Sequence, residues 1–180
     1  MMMQMLSAGG MEVLTDDVRE ADSDNEKGYF EFEPVKATKR DSAWVSLAVG
    51  KAVKAIYTFL ADLPAEFEYR VIFMRRNLQE VIRSQRVMLE RRGEKGAAVG
   101  PEKLAEIFER QLERTDHWLN QQKNLRYLDV EFAKVLDDPD SMTVEISRFL
   151  DIPLDTSAMA EVVSASLYHQ RGSTPDSPPR

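Results

Sequence analysis

The chain has 180 residues, and its 24 Lys and Arg residues against 31 Asp and Glu residues give a net charge of -7. Hydrophobic residues make up 43% and charged residues 31%, which is typical of a globular domain and excludes wholesale disorder and collagen-like repeats. The chain has no Cys and only two His, which excludes a disulfide framework and a Cys-ligated zinc site and argues against a His-rich metal site.

The first elements along the chain are short. Residues 1–8 have the pattern of a helix that ends at Gly9 and Gly10. Residues 11–14 are mostly apolar and predict a short strand.

An acidic segment follows. Residues 12–33 contain nine acids and two bases, which predicts an acidic, turn-rich loop over residues 15–28. Aromatic and acidic residues then alternate over residues 29–34. Beyond them we expect a helix to begin at residues 44–48 and a strand to cover residues 51–60.

The middle of the chain predicts half of a parallel βαβ unit. Residues 70–74 form an apolar run bounded by charge, as in a strand that is buried on both faces. Residues 77–92 then place apolar side chains on one side of a helix, with Glu80 and other charged residues opposite, and we expect the apolar side to pack on the sheet. Residues 93–100 are glycine-rich and predict a loop.

The last part of the chain predicts two helices and a strand. Pro101 opens a long helix, residues 125–130 form a strand, and Asp138 begins a helix that ends before Pro153. Residues 172–180 predict a disordered tail. Because strands alternate with helices, the chain predicts an α/β fold with a mainly parallel sheet.

In such sheets ligands bind at the carboxyl ends of the strands, where Arg75, Arg76 and Asn77 follow the strand of residues 70–74. Asn77 is suited to cap the helix, and the free N–H groups and positive dipole end of a helix favour an anion. Ser84 lies two turns further on, with nearly the same azimuth as Asn77. The spacing predicts a phosphate gripped by the fork of Arg76 and by the hydroxyl of Ser84.

The segment RVIFMRRNLQEVIRSQ resembles the donor-binding signature of the sulfotransferase family, in which an apolar strand ends in Arg-Asn and a Ser follows eight residues after the Arg. Two further segments are similar to late parts of that family, namely LRYLDVEFAKVLDDPDSMTVEISRFLDIPLD and SLYHQR. The resemblance implies a three-layer sandwich of the P-loop NTPase-like type. It also implies that Arg76 and Ser84 hold the 3'-phosphate of the co-substrate 3'-phosphoadenosine 5'-phosphosulfate.

The chain departs from the family pattern at its start. Family members begin with a strand and a Gly-rich loop that cradles the 5'-phosphosulfate, whereas none of the eight glycines here belongs to a GxxxxGK[ST]-like pattern. We therefore expect a single domain over residues 1–171 in which the first strand and this loop are missing. We also expect transfer activity to depend on the missing parts.

Three residues are candidates for the catalytic step. Many family members place a His after a Lys at a strand end, and the segment around Lys54 is similar but has Ile56 and Tyr57 instead of a His. Other members use a carboxylate as the base, which makes Glu31 and Glu33 candidates. Their alternative interpretation is an edge segment whose acids face water.

The resemblance implies transfer of a sulfuryl group to a hydroxyl or amine of a small-molecule or glycan acceptor, without a metal. Two alternatives remain open: a non-catalytic nucleotide-binding or interaction module, and a P-loop-type phosphotransferase. The basic stretch is short and is not interleaved with aromatics, so we expect no nucleic-acid partner. No apolar run reaches the roughly 18 residues of a membrane span, and residues 1–6 lack the basic start of a signal peptide, so we expect a cytoplasmic protein.

Overall fold

A computed structural model describes residues 1–16, 29–91, 93 and 99–163 of the chain. Residues 17–28 of the predicted acidic loop, most of the 93–100 loop, the SLYHQR segment and the predicted tail lie outside these residues. The helices and strands are α1 (Met2–Ala8), β1 (Tyr69–Arg75), α2 (Leu78–Arg91), α3 (Pro101–Leu119), β2 (Leu125–Glu131), α4 (Phe132–Asp137), α5 (Pro139–Leu150) and α6 (Thr156–Glu161), together with 3₁₀ helices at Glu33–Ala37, Ala43–Ala48 and Tyr57–Asp62.

The described part of the chain is a mixed α/β fold with a small parallel sheet. β1 pairs with β2 from Tyr69 opposite Leu125 to Arg75 opposite Glu131. The connection between the strands contains α2 and α3, as parallel pairing requires a long crossover. The predicted strands at residues 70–74 and 125–130 and the order of elements between them are therefore confirmed.

Apolar side chains cover both faces of this sheet, because successive strand residues point to opposite sides. Ile72, Met74 and Val130 contact the α5-side cluster, whose members include Met5, Leu6, Ile146, Leu150 and Met159. Phe73 and Leu125 contact the α3-side cluster, whose members include Leu60, Leu112, Trp118 and Leu119. The prediction of a strand at residues 70–74 is confirmed, but burial on both faces is only partial, since Phe73 is the buried residue of β1 and Arg70 is exposed.

The two strands predicted near the start of the chain, over residues 11–14 and 51–60, do not form. Residues 11–14 contribute one isolated parallel bridge, from Val13 to Ala52, in which Leu14 N–H donates to the Ala52 carbonyl at 2.9 Å. The predicted strand over residues 51–60 is limited to this bridge, since Tyr57–Asp62 forms a 3₁₀ helix. The 3₁₀ turn places neighbouring side chains in different clusters: Phe59 packs against the cluster of Val35, Trp44 and Val45, and Leu60 lies in the α3-side cluster.

Helix α2 forms where the spacing predicts it, but it packs differently. Its apolar side contacts α3, and Ile82 of α2 and Ala105 of α3 are both buried. Among the described residues, none in α2 belongs to the α5-side or α3-side cluster. The prediction that this side of α2 packs on the sheet is therefore wrong, because the amphipathic α3 covers it.

The predicted helix after Asp138 is confirmed as α5. The Asp138 carboxylate accepts from Ser141 N–H at 3.2 Å, and Pro139 occupies the first turn, where its missing N–H is not needed. Arg70 of β1 donates to the carbonyl groups of Phe149 and Leu150 at the other end of α5. This contact fixes the helix end to the start of β1. No helix within the described residues is long and apolar enough to cross a membrane.

Candidate functional site

The carboxyl edge of the sheet is the candidate site. Because β1 and β2 are parallel and in register, Arg75 and Glu131 end their strands at the same edge. Helix α2 begins three residues after Arg75, and α4 begins directly after Glu131. The edge therefore brings two strand ends and two helix beginnings close together, as in parallel sheets that bind ligands.

Arg75 is committed to an ion-pair network on the α3 side of the sheet. Its Nε donates to Asp129 Oδ1 of β2 at 2.5 Å, and its Nη2 donates to the carboxylate of Asp116 in α3. Its guanidinium also lies 3.9 Å from the centre of the Phe73 ring. Burial lowers the pKa of Arg75, but the hydrogen bonds to Asp129 and Asp116 outweigh it and raise the pKa above its ordinary value. Arg75 thus joins α3 to both strands.

Arg76 turns to different partners. Its Nε lies 3.6 Å from Glu80 Oε2, and its guanidinium lies 4.9 Å from the centre of the Phe132 ring at the start of α4. The Arg76 side chain is 29% exposed, whereas the Glu80 side chain is 8% exposed. Arg75 therefore contacts a carboxylate of α3, whereas these contacts of Arg76 are with α2 and α4. Arg76 is also partly exposed to solvent.

Asn77 caps α2 as the sequence predicts. Its Oδ1 accepts from the N–H groups of Gln79 at 2.9 Å and of Glu80 at 3.3 Å. The sequence predicts that the N–H groups of this first turn bind an anion. In the structure, two of them donate to Asn77 instead. Asn77 thus occupies two N–H groups at the start of α2, and Arg76 is the cationic side chain directly before it.

Ser84 lies on α2 and is half-buried. It is seven residues beyond Asn77, about 10 Å along the helix axis at roughly 1.5 Å per residue. Arg76, Glu80 and Ser84 follow one another at intervals of four residues, so Glu80 lies between the two predicted phosphate ligands on one side of the helix. The Glu80 side chain is buried.

The three catalytic candidates gather in another part of the fold. Glu31 and Glu33 both pair with Lys36, with 3.6 Å from Lys36 Nζ to Glu31 Oε2. The hydrogen bond to Glu33 raises the pKa of Lys36. Lys54 donates to the Tyr29 carbonyl at 2.9 Å and lies 5.9 Å from the centre of that ring. These contacts tie residues 29–36 to Lys54, whereas Arg76 is tied to Glu80 and Phe132.

Sequence reasoning missed two members of the edge. It placed Glu80 on the solvent side of α2, but Glu80 is buried, with 6% of the residue exposed. It gave no role to Phe132, which only the pairing of β1 with β2 brings to Arg76. The one available signal was the four-residue interval from Arg76 to Glu80, which is typical of a helical ion pair.

The edge fits one end of the implied co-substrate. An arginine fork and a helical hydroxyl suit a phosphate, whereas the chain has no Gly-rich cradle for a phosphosulfate. A search of the described residues finds no group of three or more His, Cys, Asp or Glu that could hold a metal ion. A shallow hollow of about 400 Å³ lies elsewhere, beside Val144, Arg148 and Ile152 of the α5–α6 region.

Comparisons with family models, with characterised proteins and with solved structures find no match to this chain.

Proposed function

We propose that the chain is a sulfotransferase-like domain that binds 3'-phosphoadenosine 5'-phosphosulfate by its 3'-phosphate. Arg76 grips this phosphate with its guanidinium fork, and Ser84 donates a hydroxyl hydrogen bond to it. The reaction that follows from the family resemblance is transfer of the sulfuryl group to a hydroxyl or amine of a small-molecule or glycan acceptor. Glu31, Glu33 and Lys54 are the candidates for the proton transfer that such an attack needs.

The observation that carries the proposal is the turn from β1 into α2. The strand ends at Arg75, Arg76 leaves the sheet at its carboxyl edge, Asn77 caps the helix and Ser84 follows two turns later. Arg75 is bound to Asp129 and Asp116 on the α3 side of the sheet, and Arg76 is the partly exposed arginine that directly precedes the cap of α2. Arg76, Asn77 and Ser84 are the residues on which the sulfotransferase resemblance rests.

The form of the sheet supports the finer fold proposal, a three-layer sandwich of the P-loop NTPase-like type. Tyr69 N–H donates to the Asn124 carbonyl at 2.8 Å. Because every second residue of a strand bonds to the same neighbour in a parallel ladder, the odd-numbered residues of β1 are the ones that hydrogen-bond to β2. The backbone groups of Ile72 and Met74 then point to the opposite edge, where the described residues provide no further strand. The isolated Val13–Ala52 bridge shares the α5-side cluster with Ile72 and Met74, so it packs on the same side of the sheet as these residues of β1.

A calorimetric titration with 3'-phosphoadenosine 5'-phosphate, the desulfated nucleotide, tests the assignment of Arg76. We expect Arg76→Ala to weaken binding by about 1.5 to 3 kcal/mol, because it removes a charge-assisted hydrogen bond to the phosphate. Ser84→Ala removes a hydrogen bond from an uncharged donor and weakens binding by about 1 kcal/mol. The matched control is Arg83→Ala, which removes an exposed arginine from the same helix.

Unchanged affinity in Arg76→Ala, or an equal loss in Arg83→Ala, would contradict the proposal. The same titration with and without Mg²⁺ separates the alternatives. Nucleotide binding that needs Mg²⁺ and not a 3'-phosphate identifies a P-loop-type phosphotransferase instead. Binding of the 3'-phosphate without sulfuryl transfer to any acceptor identifies a nucleotide-binding module.

A further inference from the structure

Glu80 is the charged group that the proposed function leaves without a role. The buried polar residues of the described part of the chain are Gln4, Thr38, Glu80 and Thr143, and only Glu80 carries a charge. Burial of a carboxylate is unfavourable unless a cation and hydrogen-bond donors compensate for the lost water. A carboxylate at this position therefore needs an explanation.

Its surroundings provide a favourable helix end and a nearby cation. Glu80 is in the first turn of α2, where the positive end of the helix dipole favours an acid. Arg76 Nε lies 3.6 Å from Glu80 Oε2. The cation in turn has a second contact, since its guanidinium lies over the Phe132 ring. Arg76 is thus held between a carboxylate below it and an aromatic ring from the neighbouring strand end.

Such a buried pair is weak evidence for stability, because well-packed apolar residues often serve equally well. It does restrict the guanidinium, which otherwise loses considerable rotamer freedom when a ligand binds. A cation that is already oriented binds an anion more tightly than one that must be ordered first. The arrangement is therefore better explained by the orientation of Arg76 than by the stability of the fold.

We infer that Glu80 is a positioning residue, which with Phe132 holds the Arg76 guanidinium in the orientation that receives the 3'-phosphate. This inference rests on the proposed function. We expect Glu80 to act on binding through Arg76 rather than by contact with the nucleotide, since its side chain is only 8% exposed.

The test is a double-mutant cycle in the affinity for 3'-phosphoadenosine 5'-phosphate. We expect Glu80→Gln to weaken binding about 5-fold to 10-fold in the otherwise unchanged chain and to have no effect in an Arg76→Ala background. The matched control is Glu90→Gln on the same helix, because Glu90 forms an ion pair of the same 3.6 Å length with Arg86 but is exposed. This control should change the affinity less than about 2-fold.

Two results would overturn the inference. The first is unchanged or tighter nucleotide binding in Glu80→Gln. The second is an equal loss of affinity when Glu80→Gln is made in the Arg76→Ala background, because Glu80 would then act through the fold. If Glu80→Gln does not fold, Phe132→Leu provides the same cycle without changing the buried charge, with an expected loss of about 3-fold. The same two results apply to it.

A ligand-free measurement separates this inference from the proposed function. By NMR, the Arg76 Nε–H should exchange slowly with water in the unchanged chain and faster in Glu80→Gln, whatever the chain binds. Equal exchange in both would overturn the positioning role. If Arg76→Ala leaves nucleotide affinity unchanged while the exchange rates differ as expected, the proposed function fails and the positioning of Arg76 by Glu80 stands.

Discussion

Two adjacent arginines at the end of β1 have different partners because strand residues alternate in direction. Arg75 points to the α3 side of the sheet and meets Asp129 and Asp116. Arg76 follows it and meets Glu80 and Phe132. The proposal for Arg76 as the phosphate ligand comes from its position before Asn77 and remains a prediction. Identical side chains in consecutive positions thus have separate tasks, one structural and one proposed for binding.

At the residue scale, Gly9 makes the clearest stability prediction. A Cβ atom built on Gly9 would lie 2.7 Å from Met159 Cγ and 2.9 Å from Met159 Sδ, and Met159 is fully buried. We expect Gly9→Ala to lower the free energy of unfolding by about 1 to 3 kcal/mol, since the well-packed core must shift. Urea unfolding measures this, with the exposed Ser157→Ala on the contacting helix α6 as the control. A loss below about 0.5 kcal/mol would show that Met159 rearranges without strain.

At the element scale, the cap of α5 makes a prediction that depends on pH. The hydrogen bond from Ser141 lowers the pKa of Asp138 below its ordinary value. A lowered pKa in the folded state means that ionised Asp138 stabilises the fold above its pKa in the unfolded chain. This stabilisation is lost as the pH falls through the folded pKa.

We therefore expect Asp138→Ala to be less stable than the unchanged chain at pH 7 and the difference to shrink towards pH 3. Thermal unfolding at several pH values measures it. Asp138→Asn keeps a side-chain oxygen for the cap and should lose less stability at pH 7. A difference that stays constant between pH 7 and pH 3 would contradict the role of the ionised carboxylate.

Long elements with a single strong signal were predictable from the sequence. The apolar run of β1, the helical spacing of α2, Pro101 at the start of α3 and the Asp138 cap of α5 depend on local chemistry, and all four are confirmed. The predicted strand over residues 51–60 is wrong because a short apolar run fits either a strand or a turn, and contacts with Trp44 and with the α3-side cluster select the 3₁₀ helix.

The site could be predicted only in part, because some of its contacts depend on how distant elements pack. Arg76, Asn77 and Ser84 are close in sequence, so spacing alone places them on one turn and one helix. The burial of Glu80 depends instead on how α2 packs against α3. The contact between Arg76 and Phe132 depends on pairing between strands that are more than fifty residues apart. No local pattern contains this information.

At the scale of the whole molecule, contacts at both ends of the small sheet connect it to the surrounding helices. The ion-pair network of Arg75 ties α3 to the carboxyl edge, Arg70 ties α5 to the start of β1, and the two apolar clusters cover the faces between them. These contacts link both ends of β1 to the surrounding helices, with Arg70 at its start and Arg75 at the carboxyl edge.

The most direct test of the account compares two nucleotides that differ in one phosphate. The unchanged chain is titrated, without Mg²⁺, with 3'-phosphoadenosine 5'-phosphate and with adenosine 5'-phosphate. We predict that the first nucleotide binds at least about 10-fold more tightly, because the Arg76 contact is made only to the 3'-phosphate. Equal affinities for the two nucleotides, or no binding of the first, would contradict the assignment of the carboxyl edge as a 3'-phosphate site.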